Sequence, residues 1–129
     1  SQWNGQITNN MRKGAVDTLL DCGFSPENII EWSVPGAFEL VNGAKRMIEE
    51  AVDAVIVIGC VIQGETKHFD FVCQGVTYGI AHLNATQDIP VIFCVLTDNT
   101  LQQSIDRSGG KHGNKGIEAA ITAIQMIDL

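Results

Sequence analysis

Residues 55–72 set the architecture, because an apolar strand pattern changes there into a helical one. Four β-branched residues stand in a row from Val55 to Ile58, which is typical of a strand buried on both faces of a parallel sheet. From Phe71 onward, apolar residues recur at intervals of three and four, which is helical spacing. A loop bracketed by Gly59 and Gly64 joins the two patterns. Since open α/β sheets bind ligands at the carboxyl ends of their strands, this loop is a candidate ligand site.

The loop is similar to a phosphate-binding P-loop in spacing but not in charge. Gly59, Gly64 and Thr66 match the pattern G-x-x-x-x-G-K-[ST], whereas Glu65 occupies the lysine position. A carboxylate cannot pair with the β- and γ-phosphates of a nucleotide, which argues against an NTPase. Backbone N–H groups and a hydroxyl at a helix N-terminus can still hold a single phosphate. The alternative is a tight turn in which Thr66 caps the helix.

Length and composition restrict the class of protein. The chain has 129 residues, and we expect residues 1–129 to form one domain. With 15 acidic and 8 basic residues, the net charge of −7 argues against a nucleic-acid surface. No apolar run is long enough to span a membrane, and the polar start is unlike a signal peptide. The 4 cysteines form no C-x-x-C pair, which favours reduced thiols and a cytoplasmic location.

Helical and strand patterns alternate along the chain as α-β-α-β-α-β-α-α. Residues 1–10 are polar and predict turns, and the strand patterns cover residues 29–34, 55–58 and 91–96. With right-handed crossovers, this order predicts a three-layer α/β/α sandwich, flavodoxin-like, around a parallel sheet of about four strands. A doubly wound domain usually opens with a strand, whereas a helix comes first here. We therefore expect a first strand that this sequence lacks.

His68 is the best candidate for acid–base catalysis. Histidine is the side-chain type suited to proton transfer near neutral pH, and His68 follows the candidate phosphate loop, with Asp70 close enough in sequence to orient it. The alternative is a histidine on the surface or at a helix end. Glu65, His68 and Asp70 could also be considered as metal ligands, but their spacing matches no standard ligand pattern.

Four further residues are candidates for ligand binding. Glu39, near the start of a helix, either binds a polar ligand or interacts with the helix dipole. Trp3 either stacks on a planar ring or covers an edge of the sheet. Residues 97–99 are predicted to cap a short helix that ends near Asp106. Arg107 and Lys115 flank the glycine-rich segment that follows this helix. Each could bind phosphate, which Arg107 can do through two hydrogen bonds at once. The alternative for each is a charge that is only solvated.

Five segments match those of one enzyme family in order and spacing. They are Trp3-Asn4 with Ile7-Thr8, Val34–Leu40, Gly59–Asp70, Pro90–Thr97 and Arg107–Gly116. On these segments the chain resembles the 6,7-dimethyl-8-ribityllumazine synthase family over nearly its whole length. The resemblance implies an enzyme of riboflavin biosynthesis that condenses 5-amino-6-(D-ribitylamino)uracil with 3,4-dihydroxy-2-butanone 4-phosphate. It also implies that phosphate and water are released and that neither a metal nor an organic cofactor takes part.

The resemblance further implies a role for individual residues. His68 matches the residue that transfers protons. The residues implied to bind the ribitylaminouracil are Trp3, Ala37, Phe38, Glu39, Cys60, Val61, Ile62, Phe93 and Lys115. Those implied to bind the butanone phosphate are Glu65, Thr66 and Arg107. Because a neighbouring subunit supplies the residues that match Phe93 and Arg107, the resemblance implies a homo-oligomer, either a pentamer or an icosahedral shell of 60 subunits.

Three other interpretations are open at this point. A riboflavin synthase of the archaeal type shares this fold but needs no butanone phosphate, so the combination of Glu65, Thr66 and Arg107 argues against it. A non-catalytic lumazine- or flavin-binding protein needs neither a proton-transfer residue nor a phosphate site, so His68 together with the two phosphate-binding groups argues against it. A purely structural shell protein would differ only in lacking turnover.

Overall fold

A two-stranded parallel sheet lies between two layers of helices in the computed structural model, which describes residues 1–129. The helices are α1 (Gly5–Asp21), α2 (Leu40–Ile48), α3 (His68–Thr86), α4 (Leu101–Arg107) and α5 (Lys115–Ile127). The sheet consists of β1 (Val55–Ile62) and β2 (Val91–Asp98), and a small hairpin consists of β3 (Ser108–Gly110) and β4 (Gly113–Asn114). Pro26–Asn28 and Ala37–Glu39 form short 3-10 turns. None of the helices is long and apolar enough to cross a membrane.

Two apolar clusters, one on each face of the sheet, produce the predicted layers. Successive side chains of a strand point to opposite faces, and here both faces are covered. The cluster against α2 and α3 contains Leu40, Ala44, Val55, Val57, Val76, Ile80, Leu83, Val91 and Val95. The cluster against α1 and α5 contains Ile7, Met11, Cys60, Ile92, Cys94, Leu96, Ala119 and Ala123. The predicted α/β class, parallel pairing and three-layer arrangement are confirmed.

The prediction of a strand at residues 29–34 is wrong for this chain. The backbone is extended at Ile29, but β1 pairs only with β2 and no strand pairs with this segment. Its last carbonyl, that of Val34, accepts a hydrogen bond from the Gln2 N–H at 2.9 Å, and Trp32 is half exposed. A strand needs a neighbour to bond to, which β-branched and aromatic residues cannot supply by themselves. The first strand expected outside this sequence stays a prediction.

The limits of the first helix and of β1 also differ from the predictions. α1 begins at Gly5, inside the residues 1–10 that were predicted to form turns. β1 continues through Gly59 to Ile62 because it pairs with β2 along its whole length. The loop that follows β1 therefore covers only residues 63–67.

The short helix α4 begins later than predicted. Its cap is Thr100, whose Oγ1 accepts the N–H of Gln103 at 3.2 Å, while Gln103 Oε1 accepts the N–H of Thr100 at 3.3 Å. Residues 97–99 were predicted to cap this helix, but Thr97 and Asp98 still belong to β2. The reciprocal capping box stops the helix from fraying at the point where the chain leaves the sheet.

Candidate active site

The turn at residues 37–39 is held between β1 and α3 by two close glycine contacts. A Cβ placed on Gly59 of β1 would lie 2.9 Å from Leu40 Cδ1 and 3.3 Å from the Cβ of Ala37. A Cβ placed on Gly75 of α3 would lie 2.9 Å from the ring of Phe38. Because both glycines lack that atom, the turn reaches the carboxyl half of β1 and leaves much of the Phe38 ring exposed.

The first residues of the chain lie over the same end of β1. The amino group of Ser1 donates to the Ile58 carbonyl at 2.5 Å, and Asn4 Nδ2 donates to the Cys60 carbonyl at 3.1 Å. The backbone N–H of Trp3 donates to the Pro35 carbonyl at 3.2 Å. The Trp3 side chain is 73% exposed, so its indole is open to a planar ligand.

The loop from β1 to α3 is exposed and carries the second group of predicted residues. The N–H of Gln63 donates to the Asp98 carbonyl at 2.9 Å, which extends the contact between β1 and β2 by one residue. Thr66 Oγ1 accepts the N–H of His68 at 3.3 Å, as expected of a hydroxyl at a helix start. Glu65 and His68 are exposed.

Asp70 does not hydrogen-bond to His68, so the predicted orienting contact is not formed. The two residues lie in the first turn of α3 two positions apart, and residues so spaced point to different sides of a helix. No group of three or more His, Cys, Asp and Glu side chains could hold a metal ion, so Glu65, His68 and Asp70 do not form one.

Phe93 and Lys115 lie elsewhere, in a groove of about 550 Å³ along the open edge of β2. The groove runs between the end of α3 and α5, along which it extends from Lys115 to Met126, and none of the predicted residues from the end of β1 lines it. Phe93 is 41% exposed. The Nζ of Lys115 lies 3.3 Å from Oε1 of Glu118, one helical turn further along α5. Within one chain, these two residues are thus separate from the first group.

Arg107 is the last residue of α4 and is half buried. Its Nη1 donates to the Gln103 carbonyl at 3.0 Å, and no carboxylate pairs with it. A guanidinium has five N–H donors, so most of them are unused here. No hydrogen bond joins Arg107 to Glu65 or Thr66 within the chain, so the predicted phosphate residues also fall into two groups.

Three side chains form a hydrogen-bonded chain at the strand ends that no sequence pattern predicted. The thiol of Cys60 donates to Ser104 Oγ at 3.3 Å, and that hydroxyl donates to Asp98 Oδ2 at 2.7 Å. Ser104 is fully buried. These residues belong to β1, β2 and α4, and their spacing matches no motif, so sequence reasoning had no signal by which to find them.

The buried thiol of Cys94 makes stability depend on pH. Burial, followed by the nearby Glu118 carboxylate, raises the pKa of Cys94 to about 12, against a smaller opposite effect of Lys115. In the unfolded chain the thiol ionises near pH 9.0. Between these values the unfolded state loses a proton that the folded state keeps, so rising pH favours unfolding.

We therefore expect the free energy of unfolding to fall from pH 9 toward pH 12, with Cys94 contributing up to about 1.4 kcal/mol per pH unit. The measurement is urea denaturation under reducing conditions at several pH values, for the wild type and Cys94→Ala. The variant should be less stable at pH 7 and should show a shallower slope above pH 9. Parallel curves for the two proteins would contradict the assignment to Cys94.

Comparison with known proteins places the whole chain in one group. The sequence model for 6,7-dimethyl-8-ribityllumazine synthase matches residues 1–129. A protein of that name from Flavobacterium johnsoniae is 67% identical over 127 residues, which cover 98% of this chain and 67% of the relative. A second, from Christiangramia forsetii, is 60% identical and covers 100% of this chain and 78% of the relative. A third, from Bacteroides fragilis, is 58% identical and covers 99% and 90%.

Proposed function

Because the chain belongs to the 6,7-dimethyl-8-ribityllumazine synthase family, we propose that the end of β1 from one copy and the β2 groove from a neighbouring copy together form its active site. The enzyme is a transferase of riboflavin biosynthesis. It condenses 5-amino-6-(D-ribitylamino)uracil with 3,4-dihydroxy-2-butanone 4-phosphate and gives 6,7-dimethyl-8-ribityllumazine, phosphate and water. The family match over residues 1–129 supports this reaction, and the named relatives give no support to a non-catalytic binding protein.

The ribitylaminouracil is proposed to bind over the carboxyl end of β1. Trp3 would stack on its ring, and the backbone at residues 60–62 would contact the ring edge, while residues 37–39 would bind the ring and the ribityl chain. The exposure of Trp3 and Phe38 supports this assignment, as does the close approach of the 37–39 turn to β1. Phe93 and Lys115 of the neighbouring copy would close the site over the ring.

The phosphate of the second substrate is proposed to bind at the start of α3. A helix N-terminus presents unpaired N–H groups and a partial positive charge to an anion, and α3 is 19 residues long. Glu65 and Thr66 lie just before this helix, so their backbone N–H groups and the Thr66 hydroxyl are the proposed donors. The guanidinium of Arg107 from the neighbouring copy would form a bidentate hydrogen bond to the phosphate with its unused donors.

This division of the site requires a homo-oligomer, which we propose to be either a pentamer or an icosahedral shell of 60 subunits. Support comes from the apolar residues that α4 and α5 leave exposed, among them Leu101, Ile105, Ile117 and Ile121. Residues 1–129 are proposed to act as one domain, and the free cysteines support a cytoplasmic location. Sedimentation velocity would distinguish a monomer, a pentamer and a shell.

The reaction requires several proton transfers between two bound reactants. The substrate amine attacks a ketone, the carbinolamine loses water to give an imine, phosphate is eliminated, and the ring closes on a second carbonyl. A histidine, which can both give and accept a proton, suits these steps, and His68 is the proposed one. Its exposed position at the first residue of α3 sets it beside the proposed phosphate site. Most of the rate enhancement should come from holding the two reactants together.

We expect His68→Ala to lower kcat by about 10- to 100-fold while leaving both KM values nearly unchanged, because positioning survives and only proton transfer is lost. Steady-state kinetics against both substrates would measure this. His82→Ala is the matched control, since His82 is exposed in the middle of α3 and should leave the kinetics unchanged. A fully inactive His68→Ala enzyme that still binds both substrates would contradict the positioning mechanism.

The reaction itself is tested by turnover of the wild-type enzyme with both substrates, following the lumazine product by its absorbance. The expected result is product formed together with an equal amount of phosphate. If a well-folded oligomer binds a lumazine analogue but forms no product, the proposed function is overturned in favour of a binding protein.

A further inference from the structure

The hydrogen-bonded chain of Cys60, Ser104 and Asp98, which we call the strand-end network, ties two strands and a helix together directly beneath the proposed ring site. Asp98, the last residue of β2, accepts the Ser104 hydroxyl at its side chain and the N–H of Gln63 at its backbone carbonyl, at 2.7 and 2.9 Å. Through Ser104 it also reaches the thiol of Cys60 at 3.3 Å. Asp98 and Ser104 thus hold both ends of the segment 60–63.

The direction of the hydrogen bonds makes each member necessary. Ser104 has one hydroxyl proton, and because it is given to the Asp98 carboxylate, the oxygen is left as an acceptor for the thiol. Burial raises the pKa of Cys60, so the thiol keeps the proton it donates. Since Ser104 is completely buried, no water can take the place of the Cys60 thiol at its oxygen, whereas the Asp98 carboxylate is only half buried.

We propose that Ser104 and Asp98 are positioning residues, which fix segment 60–63 in the geometry that binds the pyrimidinedione ring. Neither residue touches substrate; both act through Cys60 and Gln63. The proposal rests on the proposed function, because it assigns the ring contacts to this segment. If these residues only stabilised the fold, their loss would weaken binding of both substrates alike. A positioning role instead requires binding of the ribitylaminouracil to depend on the strand-end network more than binding of the butanone phosphate does.

The test is steady-state kinetics of Ser104→Ala in the full-length enzyme, with each substrate varied in turn. We expect the KM for ribitylaminouracil to rise about tenfold, as befits the loss of buried hydrogen bonds, with the KM for butanone phosphate changed by less than about twofold. If the variant merely loosens α4, both KM values should rise together, and that result would overturn the proposal. Thr86→Ala is the matched control: it removes an exposed helix hydroxyl, bonded to the His82 carbonyl, which lines neither the end of β1 nor the β2 groove.

A second variant and a double-mutant cycle show whether the effect passes through Cys60. Cys60→Ala leaves the bond between Ser104 and Asp98 in place, and we expect the KM for the pyrimidine to rise about threefold. Ser104→Ala combined with Cys60→Ala should be no worse than Ser104→Ala alone, because the two changes break one path. If the KM of the double variant instead rises by the product of the two single effects, the proposal is overturned. If Ser104→Ala does not fold, an unchanged KM in Cys60→Ala overturns it instead.

Turnover by the wild type distinguishes the proposed function from the positioning role of Ser104 and Asp98. If the wild type does not turn over, the proposed function fails, and titration with ribitylaminouracil alone still tests the strand-end network: Ser104→Ala should weaken binding about tenfold. If the wild type turns over and native-like Ser104→Ala has unchanged kinetics, only the positioning role is overturned.

Discussion

Replacing Gly116 with alanine is expected to destabilise the fold by more than about 3 kcal/mol, or to prevent folding altogether. A Cβ at this position would lie 1.8 Å from the carbonyl oxygen of Met11 and 2.6 Å from its carbonyl carbon. Both atoms belong to the backbone of α1, so no side-chain rotation can relieve the clash. Met11 is itself fully buried, so α1 and α5 would have to separate and expose part of the second apolar cluster. Urea denaturation followed by circular dichroism would measure the loss.

Gly5→Ala is the matched control for this substitution. Nothing lies within 4 Å of a Cβ placed on Gly5, the first residue of α1, so its effect should stay within about 0.5 kcal/mol. The Asn114 side chain, which donates to the Asn10 carbonyl at 3.1 Å and accepts the N–H of Gly116 at 2.8 Å, fixes the same helix junction. Equal unfolding midpoints for the two variants would show that α1 and α5 do not approach each other so closely.

Replacing Arg107 with alanine should lower kcat/KM for butanone phosphate by at least about 100-fold, mainly through a higher KM. Two charge-assisted hydrogen bonds to phosphate would be lost. Within the chain, the Arg107 side chain makes one hydrogen bond, to the Gln103 carbonyl. Arg46→Ala removes an exposed arginine from α2 and should leave the kinetics unchanged. A normal KM in Arg107→Ala would remove this residue from the proposed phosphate site.

Mixing two defective variants tests whether the site is shared between subunits. Arg107→Ala keeps Trp3 and the end of β1 intact, and Trp3→Ala keeps Arg107 intact. In randomly mixed oligomers, about a quarter of the sites should receive the two intact halves from different subunits and regain activity. If the variants dissociate and reassemble together without any recovery, both halves of the site belong to one subunit.

Local patterns in the sequence were enough to predict the layers, whereas the location of the site at the end of β1 stays a prediction. The apolar runs at the start of β1 and β2 and the helical spacing after Phe71 depend only on neighbouring residues. Cys60 and Cys94 stand among apolar residues in the sequence, and both lie on strands and are buried. The segments shared with the family identified the enzyme, and the exposure of Trp3 followed from its polar neighbours.

Contacts between residues distant in sequence were decided only by the tertiary structure. The segment 29–34 has strand-forming residues but no partner, and β1 continues past Gly59 because β2 lies beside it. The separation of Phe93 and Lys115 from the end of β1 within a single chain depends on which edge of β2 stays open. The bond between Cys60 and Ser104 joins residues 44 positions apart, and the contact between Gly116 and Met11 joins residues still further apart in the sequence. Local propensity reports the state of one segment, whereas pairing, close approach and buried hydrogen bonds depend on what the rest of the chain places against it.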